Sequence, residues 1–594
     1  MNHKYSCVRI RLQWLSVLAL ILGMLVAFWT PRSVMADGGG EIQVKGMVTA
    51  APGSANGVGT WTVEGRADGE MSDRTWTIIA SGDTEFDHGV PIVNDHVRVK
   101  GVPDGDGRLI ANNISLVDNN GGGGGGGGDG SGSGEHEAKG LVLSIPGTAN
   151  GIGEWSIQTD LAQTLTVIAD ANTRFDEEHG IPGVGDWVEV KGQVQADGSI
   201  LAFRIKFDDY EGAEVVVRLQ TGADPAAVAG RYGLALREAL LSSGDIYLLG
   251  GDQEFEDIAG LIAQLQADAD VVWAERNYVG GAPVGDPYRT WGWGGVEPTE
   301  YVNQDAFPQV RLDVVGERFP GDGVIVAVLD TGIDLAHPAF AGRLLPGRDL
   351  IDDDSVADEV GAGLGWGHGT HTSGVIAHMA PGSKLLPVRV LDTNARGNTF
   401  ILAYGIEWAV AQGANVINLS LGTPYDSQTL REAVAAAQAQ GVVMIAAAGN
   451  DAGDTPQYPA AYPGVIAVTA VDGDNVKPDF ANYGADWVDM AAPGVGIVST
   501  IVGPEGSGYA TWSGTSMAAP FVTGAAARLV DQQPDADPST IAAALTDNAQ
   551  DLDAANPSFA GQIGGLLDVA GALGVEAVDP SGLSVKVYMP LVVR

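Results

Sequence analysis

The sequence predicts an α/β fold with a mostly parallel sheet over residues 281–574, preceded by a small α+β segment and two small all-β modules. Three observations carry this expectation. Apolar runs at 324–329, 385–391, 416–419, 442–447 and 465–471 alternate with helix-length stretches such as 399–412 and 427–440. Continuous apolar strands separated by helices belong to a sheet covered on both faces. Upstream, segments 41–118 and 135–209 repeat the same landmarks in the same order. Between the repeats and the α/β region, residues 212–280 change texture, mixing strand and helix patterns.

Residues 1–36 read as an export signal. Lys4, Arg9 and Arg11 precede an apolar run from Trp14 to Trp29, and Val34-Met35-Ala36 supplies small residues for cleavage after Ala36. The run falls short of the roughly 20 residues of a membrane-spanning helix. Cys7 is the only cysteine and lies in this segment, so the exported chain would carry no disulfide. A formal net charge of -43 argues against nucleic acid or an anionic membrane as partner, and suits solubility outside the cell or a halophilic surface.

The duplication is detailed. Lys45-Gly46-Met47-Val48 matches Lys139-Gly140-Leu141-Val142, Trp61 matches Trp155, Phe86 matches Phe175, and Val99-Lys100-Gly101 matches Val190-Lys191-Gly192. Alternation broken by Gly and Asp turns indicates short antiparallel strands. The glycine-rich stretch 119–134 reads as a flexible joint. The two modules resemble small OB-like barrels of bacterial exported proteins. In 212–280, strands are expected at 214–219, 245–249 and 271–278, with helices starting at Asp224 and spanning 255–267. Residues 288–320, with Trp291 and Trp293, read as a surface-packed lead-in to the α/β domain.

The chemistry concentrates in three blocks of that domain. In Gly514-Thr515-Ser516-Met517-Ala518-Ala519-Pro520, small residues deliver Ser516 to the start of an apolar helix. Backbone donors and the helix dipole there stabilise negative charge. Taken alone, Ser516 would read as an N-cap. The run 324–329 ends in Asp330-Thr331-Gly332, and Gly367-His368-Gly369-Thr370-His371 opens a second small-residue helix. Asp at a strand end, His at a helix start and Ser at a helix start occur in the order Asp, His, Ser, which is the order found in subtilisin. On these blocks, from about Val324 to about Leu529, the chain is identified as similar to the subtilisin-like serine proteases (subtilases).

The resemblance implies roles. Ser516 would attack a peptide carbonyl, His368 would move its proton, and Asp330 would orient the imidazole. Asn450, ending the block Met444-Ile445-Ala446-Ala447-Ala448-Gly449-Asn450, would form the oxyanion hole with the Ser516 backbone N–H. His371 and His378 would be packing or surface residues of the helix. Substrate would lie between Ala395-Arg396-Gly397 and Ser420-Leu421-Gly422, with Ala447 and Gly449 walling the pocket for the residue before the cut. Asp451 and Asp454 stand near its rim. Protein or peptide substrates are implied, with broad specificity and large side chains preferred, and no cofactor is implied for the chemistry. The segment 212–280 resembles the family's inhibitory pro-segment, so self-cleavage after Tyr278 or within a few residues of it is expected.

Structural calcium is a separate matter. Ala377-His378-Met379 runs directly into Ala380-Pro381-Gly382, without the calcium loop of well-known relatives. Asp349, Asp352, Asp353, Asp354, Asp358 and Glu359 offer hard oxygen ligands, while a solvated acidic loop fits equally. The tail 575–594 reads as an added edge strand or a surface-sorting segment. Two other functions stand beside a secreted broad endopeptidase. One is a processing protease restricted to one partner, and the other is an inactive scaffold presenting the β modules for binding.

Overall fold

The computed structural model describes residues 42–576 with short breaks, the longest at 117–134 and 283–295. The expected export signal, the whole glycine-rich joint, the lead-in tryptophans Trp291 and Trp293, and all but the start of the C-terminal tail therefore lie outside the described residues. The described residues divide into two compact bodies at the start of the second repeat, near Glu135. No helix among the described residues is long and apolar enough to cross a membrane.

The first body holds one closed barrel of β1 (Ile42–Ala50), β2 (Gly59–Ala67), β3 (Arg74–Asp87), β4 (His96–Pro103) and β5 (Leu109–Leu116), in the order β1-β2-β3-β5-β4. Alternate residues point inward, so Val44, Val48, Trp61, Val63, Ile78, Val97 and Val99 form a sealed core. The second body opens with the duplicate: β6 (Glu135–Ser144), β7 (Gly153–Thr159), β8 (Thr164–Phe175), β9 (Trp187–Val194) and β10 (Ile200–Phe207). Its strands close in the corresponding order around Trp155, Ile157, Val167, Val188 and Val190. Closure leaves no open sheet edge, which suits small modules without disulfides.

The α+β segment follows immediately. β11 (Tyr210–Leu219), β12 (Ala235–Ala239), β13 (Ile246–Gly250) and β14 (Val271–Gly281) form an antiparallel sheet, order β12-β13-β11-β14. Helices Pro225–Arg231 and Ile258–Gln266 cover one face, each started by an aspartate, Asp224 or Asp257, that accepts first-turn backbone N–H groups.

The α/β domain is built on β15 (Ile325–Asp330), β16 (Arg348–Asp349), β17 (Lys384–Arg389), β18 (Arg396–Asn398), β19 (Val416–Leu419), β20 (Val443–Ala447), β21 (Val465–Val471) and β22 (Met490–Pro493), with an antiparallel hairpin of β23 (Ile497–Gly503) and β24 (Gly506–Trp512). With β25 (Gly565–Leu566), the main sheet runs β16-β17-β15-β19-β20-β21-β22-β25, and every pairing in it is parallel. Separate apolar clusters cover its two faces, one around the Thr515–Gln532 helix and one around helices Thr399–Ala411 and Gln428–Ala439. The subtilisin-like α/β class expected from the apolar runs is thus present. The strand β18 does not join this sheet. It pairs with β14, so the α+β sheet continues into the α/β domain as β12-β13-β11-β14-β18.

Candidate active site

Asp330 ends β15, where the parallel sheet leaves its last carboxylate at the strand's C-terminal edge. His368 is the first residue of the helix His368–Met379 and is buried. Its Nδ1 lies 2.7 Å from Asp330 Oδ1. Against a carboxylate, Nδ1 carries the proton, so the neutral ring presents Nε2 as an acceptor. Asp330 is held in turn by the Thr331 N–H at 2.8 Å and the Thr372 hydroxyl at 3.3 Å. His368 Nε2 is buried and has no hydrogen-bond partner among the described residues. An orphaned buried acceptor of this kind is rare outside working sites.

Ser516 stands in the first turn of the Thr515–Gln532 helix and is 2 % exposed. Its Oγ donates to the Ser420 carbonyl at 3.0 Å, while Ser420 Oγ donates to the Ser516 carbonyl at 2.9 Å. Behind them, Asn418 Nδ2 donates to Ser420 Oγ and Thr523 Oγ1 donates to Asn418 Oδ1. This buried ladder ties β19 to the Ser516 helix. The Asn450 amide oxygen accepts the Thr515 N–H at 2.9 Å, which sets Nδ2 as the donating end of that side chain. Nδ2 lies 3.3 Å from where a Cβ on Gly514 would sit. Trp512, four residues before Ser516, stacks on His371 at 4.9 Å and tilts toward His368 at 6.1 Å.

His371 and His378 are packing residues. His371 Nε2 lies 3.1 Å from the Ile497 carbonyl, and burial pushes its pKa down to about 3. His378 stacks on Phe307 at 3.8 Å and is pushed down to about 4, chiefly by burial. Neither ring touches the Asp330 carboxylate.

The two expected cleft walls face each other across the end of β14. Gly281 exchanges both backbone hydrogen bonds with Gly422 at 2.9 Å, and the Ala282 N–H donates to the Ala395 carbonyl at 3.0 Å. On the same wall, Val279 pairs with Asn398 and Gly280 with Gly397. Residues 279–282 therefore fill the groove as its middle strand. A side chain at Gly281 would place Cβ 2.1 Å from the Ala395 carbonyl oxygen, so this close approach requires glycine. Gly280 borders a pocket also lined by Val390, Leu391, Leu402, Leu421 and Tyr458, and a Cβ on it would lie 2.8 Å from the Gly422 carbonyl oxygen and from Thr423 Cβ, so in this register the position is closed to a side chain. Ala447 ends β20, and the Gly449 N–H bonds Thr515 Oγ1 at 3.1 Å beside Asn450. The expected cut at or near Tyr278 thus falls in a strand whose pairing runs on through Ala282.

The acidic run is engaged in ion pairs and backbone contacts. Asp349 and Asp352 both bind the buried Arg389, and Asp353 binds Arg348. Asp354 accepts the Val356 N–H, and Asp358 accepts the Leu335 and Glu359 N–H groups. Among the described residues, no group of three or more His, Cys, Asp or Glu side chains is placed to hold a metal. Glu359 has a different task. Its carboxylate accepts the Gly367 and Thr370 N–H groups and the Thr331 and Thr370 hydroxyls, at 2.9–3.1 Å, at the start of the His368 helix. Burial pushes its pKa up to about 7 against these hydrogen bonds. Asn418 was not singled out in the sequence, Ser420 was expected only as a cleft edge and Glu359 only as one acid of a run, because only the folded chain brings these segments to the Ser516 and His368 helices.

Comparison with known proteins agrees with this architecture. Residues 321–564 match the Subtilase family (Peptidase_S8), and residues 45–115 and 139–206 each match a domain of unknown function, DUF5666. The Thermophilic serine proteinase of Bacillus sp. (strain AK1) is 39% identical over 286 residues, 46% of this chain and 67% of that protein. Thermitase of Thermoactinomyces vulgaris is 41% identical over 242 residues, 39% of this chain and 83% of that protein. Among solved structures, fervidolysin from Fervidobacterium pennivorans, a keratinolytic enzyme related to subtilisin, superposes with a TM-score of 0.52 at 25% identity, covering 62% of each chain. With the parallel sheet, the Asp330–His368 pair and these relatives together, the chain belongs to the subtilase family of serine endopeptidases.

Proposed function

We propose that the protein is an exported, self-processing endopeptidase that cuts peptide bonds through Asp330, His368 and Ser516. Ser516 Oγ turns from the Ser420 carbonyl toward His368 Nε2, gives up its proton there and attacks the substrate carbonyl. The Ser516 N–H and Asn450 Nδ2 receive the oxyanion. His368 then protonates the leaving amine, and a water repeats the sequence to hydrolyse the acyl-enzyme. Asp330 stabilises the imidazolium throughout. No metal enters any step.

The observation that carries this reading is the arm 279–282, laid between Arg396–Asn398 and Gly422 as a peptide substrate would be. Backbone pairing of this kind makes little demand on sequence, which favours broad specificity. Residues 210–282 serve as intramolecular inhibitor, and their seating is specific. The Glu275 carboxylate accepts the Gln428 and Thr429 N–H groups at 2.8 Å, capping the Gln428–Ala439 helix. Arg218 and the Trp273 indole N–H both bind Glu432 on that helix. Asn277 is fully buried and accepts the Phe400 N–H at the start of the Thr399–Ala411 helix.

The test is intact mass over time for wild type beside Ser516→Ala, both without residues 1–36. Wild type should shed an N-terminal piece ending at or just beyond Ala282, and Ser516→Ala should stay whole. Cleavage of the Ser516→Ala chain at the same place, or none in either chain alongside no digestion of casein, would refute the proposal.

A further inference from the structure

The second barrel touches the groove wall, and it does so with residues that the first barrel lacks. Arg396, on β18, pairs with Gly281 of the arm. Its guanidinium lies over the Trp187 ring at 4.4 Å, binds the Asp208 carboxylate, and donates to the Asp208 carbonyl at 2.6 Å. Trp187 opens β9, and the Asp208 N–H donates back to the Trp187 carbonyl at 3.0 Å, so ring and carboxylate form one corner of the barrel. Lys139 of β6 binds the same carboxylate at 3.0 Å. Burial alone would raise the Asp208 pKa, but Arg396 and Lys139 outweigh it and hold the group down at about 2. Asp209 continues the contact, accepting the Tyr425 hydroxyl at 2.9 Å and, through its carbonyl, the Val279 N–H at 2.8 Å. Tyr425 in turn stacks on Tyr278 at 5.0 Å.

The duplication supplies an internal control. Aligning β9 on β4 and β10 on β5 puts His96 where the second repeat has Trp187, and Val117 where it has Asp208. Lys45 and Lys139 correspond, so the lysine is common to both barrels while the ring and acid that receive Arg396 are not. A planar cation between an aromatic face and a buried carboxylate is a geometry that arginine fills and lysine does not.

We propose that the second barrel is a clasp for the protease's own groove wall: Trp187 and Asp208 bind Arg396 and thereby hold the arm 279–282 in place, so that barrel and α+β segment inhibit as one body. This rests on the reading that the arm blocks the groove. The occupant of the socket is the α/β domain of the same chain, and Asp208 leads within two residues into β11, so no flexible joint separates clasp from inhibitor.

Hydrogen exchange on the full chain carrying Ser516→Ala tests the clasp whether or not the wild type cuts itself. Asp208→Asn and, separately, Arg396→Gln should each speed exchange of the Gly281, Ala282 and Gly422 amides by about tenfold, and the double variant by no more than either alone. Protection of Ile157 and Val167 reports whether the barrel stays folded. If Asp208→Asn loses that protection, Arg396→Gln, which changes no residue of the barrel, decides, provided Ile157 and Val167 stay protected in it. Exchange within twofold of the parent in Arg396→Gln overturns the proposal, as do additive effects with the barrel intact. Failure of self-cleavage would appear separately, in the wild-type mass.

Discussion

Ser516 rests with its hydroxyl on the Ser420 carbonyl, not on His368. While the groove is filled by the chain's own arm, the serine proton has a good acceptor, and His368 Nε2 waits for a partner. The developing oxyanion is where most of the barrier is lowered, so Asn450→Ala should cut kcat by about 10²–10³, or about 2.7–4 kcal/mol, the range found for subtilisin. KM should change little. A change confined to KM would remove Asn450 from the transition state. Glu359 sets a pH signature. Its folded pKa of about 7 lies above the ordinary carboxylate value of 4.5, so the native state holds the extra proton between them. Its contribution to stability is full below about 4.5 and is lost as pH rises through 7. His371 and His378 act oppositely, since their folded values of about 3 and 4 lie below 6.5. Their contribution is full above 6.5 and falls away in acid. Glu359→Gln should therefore leave a melting temperature that climbs more steeply between pH 4.5 and 7 than that of wild type. Parallel profiles would show that Glu359 does not titrate in that window. Asp330, His368, Asn450 and Ser516, to which the proposed mechanism gives its chemistry, were legible as blocks. Glu359 was legible only as one acid among several, because its four donors come from segments 8 to 28 residues away.

Among elements, the parallel strands were the most readable. Each expected run lies within two residues of an observed strand, because a strand buried on both faces must be apolar throughout. The hairpin β23–β24 escaped notice. Its Ser, Thr and Gly residues break the alternation that marks a half-buried ribbon, although its Trp512 braces His371. The end of β14 escaped for a related reason. Val279-Gly280-Gly281 looks like a linker, and its strand character comes wholly from the two walls that flank it. Gly281→Val tests that dependence. Its Cβ would meet the Ala395 backbone, which cannot give way as a flexible side chain would. Self-cleavage measured by mass should slow at least about tenfold, since a misplacement of about 1 Å can cost a hundredfold in rate. An unchanged rate would mean that the arm does not adopt this register when it is cut. The acidic run 349–359 shows the converse limit of composition. Its charge density was visible, but its counter-ions Arg389 and Arg348 determine its role, and their pairing is tertiary.

At the scale of the whole molecule, the boundary that matters is not the one composition draws. The glycine-rich joint separates the two repeats, yet the second repeat belongs to the same compact body as the protease domain. A cut past Ala282 would remove everything N-terminal to it, and the part in contact with the groove is barrel and α+β segment together. The sequence announced the duplication clearly. It could not announce that one copy serves the groove wall, because that difference rests on Trp187 and Asp208 meeting a residue about 200 positions away.

The arm's two glycines have a consequence for when this enzyme becomes active. Both sit where the walls leave no room for a Cβ, which would lie 2.8 Å from the Gly422 carbonyl oxygen at Gly280 and 2.1 Å from the Ala395 carbonyl oxygen at Gly281. On the proposed reading of the arm as inhibitor, a foreign polypeptide with side chains at these positions must push the walls apart before it can lie as close, so the chain's own arm outcompetes it. An uncleavable peptide with Gly-Gly at these positions, added during maturation, should therefore shorten the interval between the mass change and the onset of activity more than its Phe-Gly counterpart. A Phe-Gly peptide that acts as well or better would show that the groove opens readily.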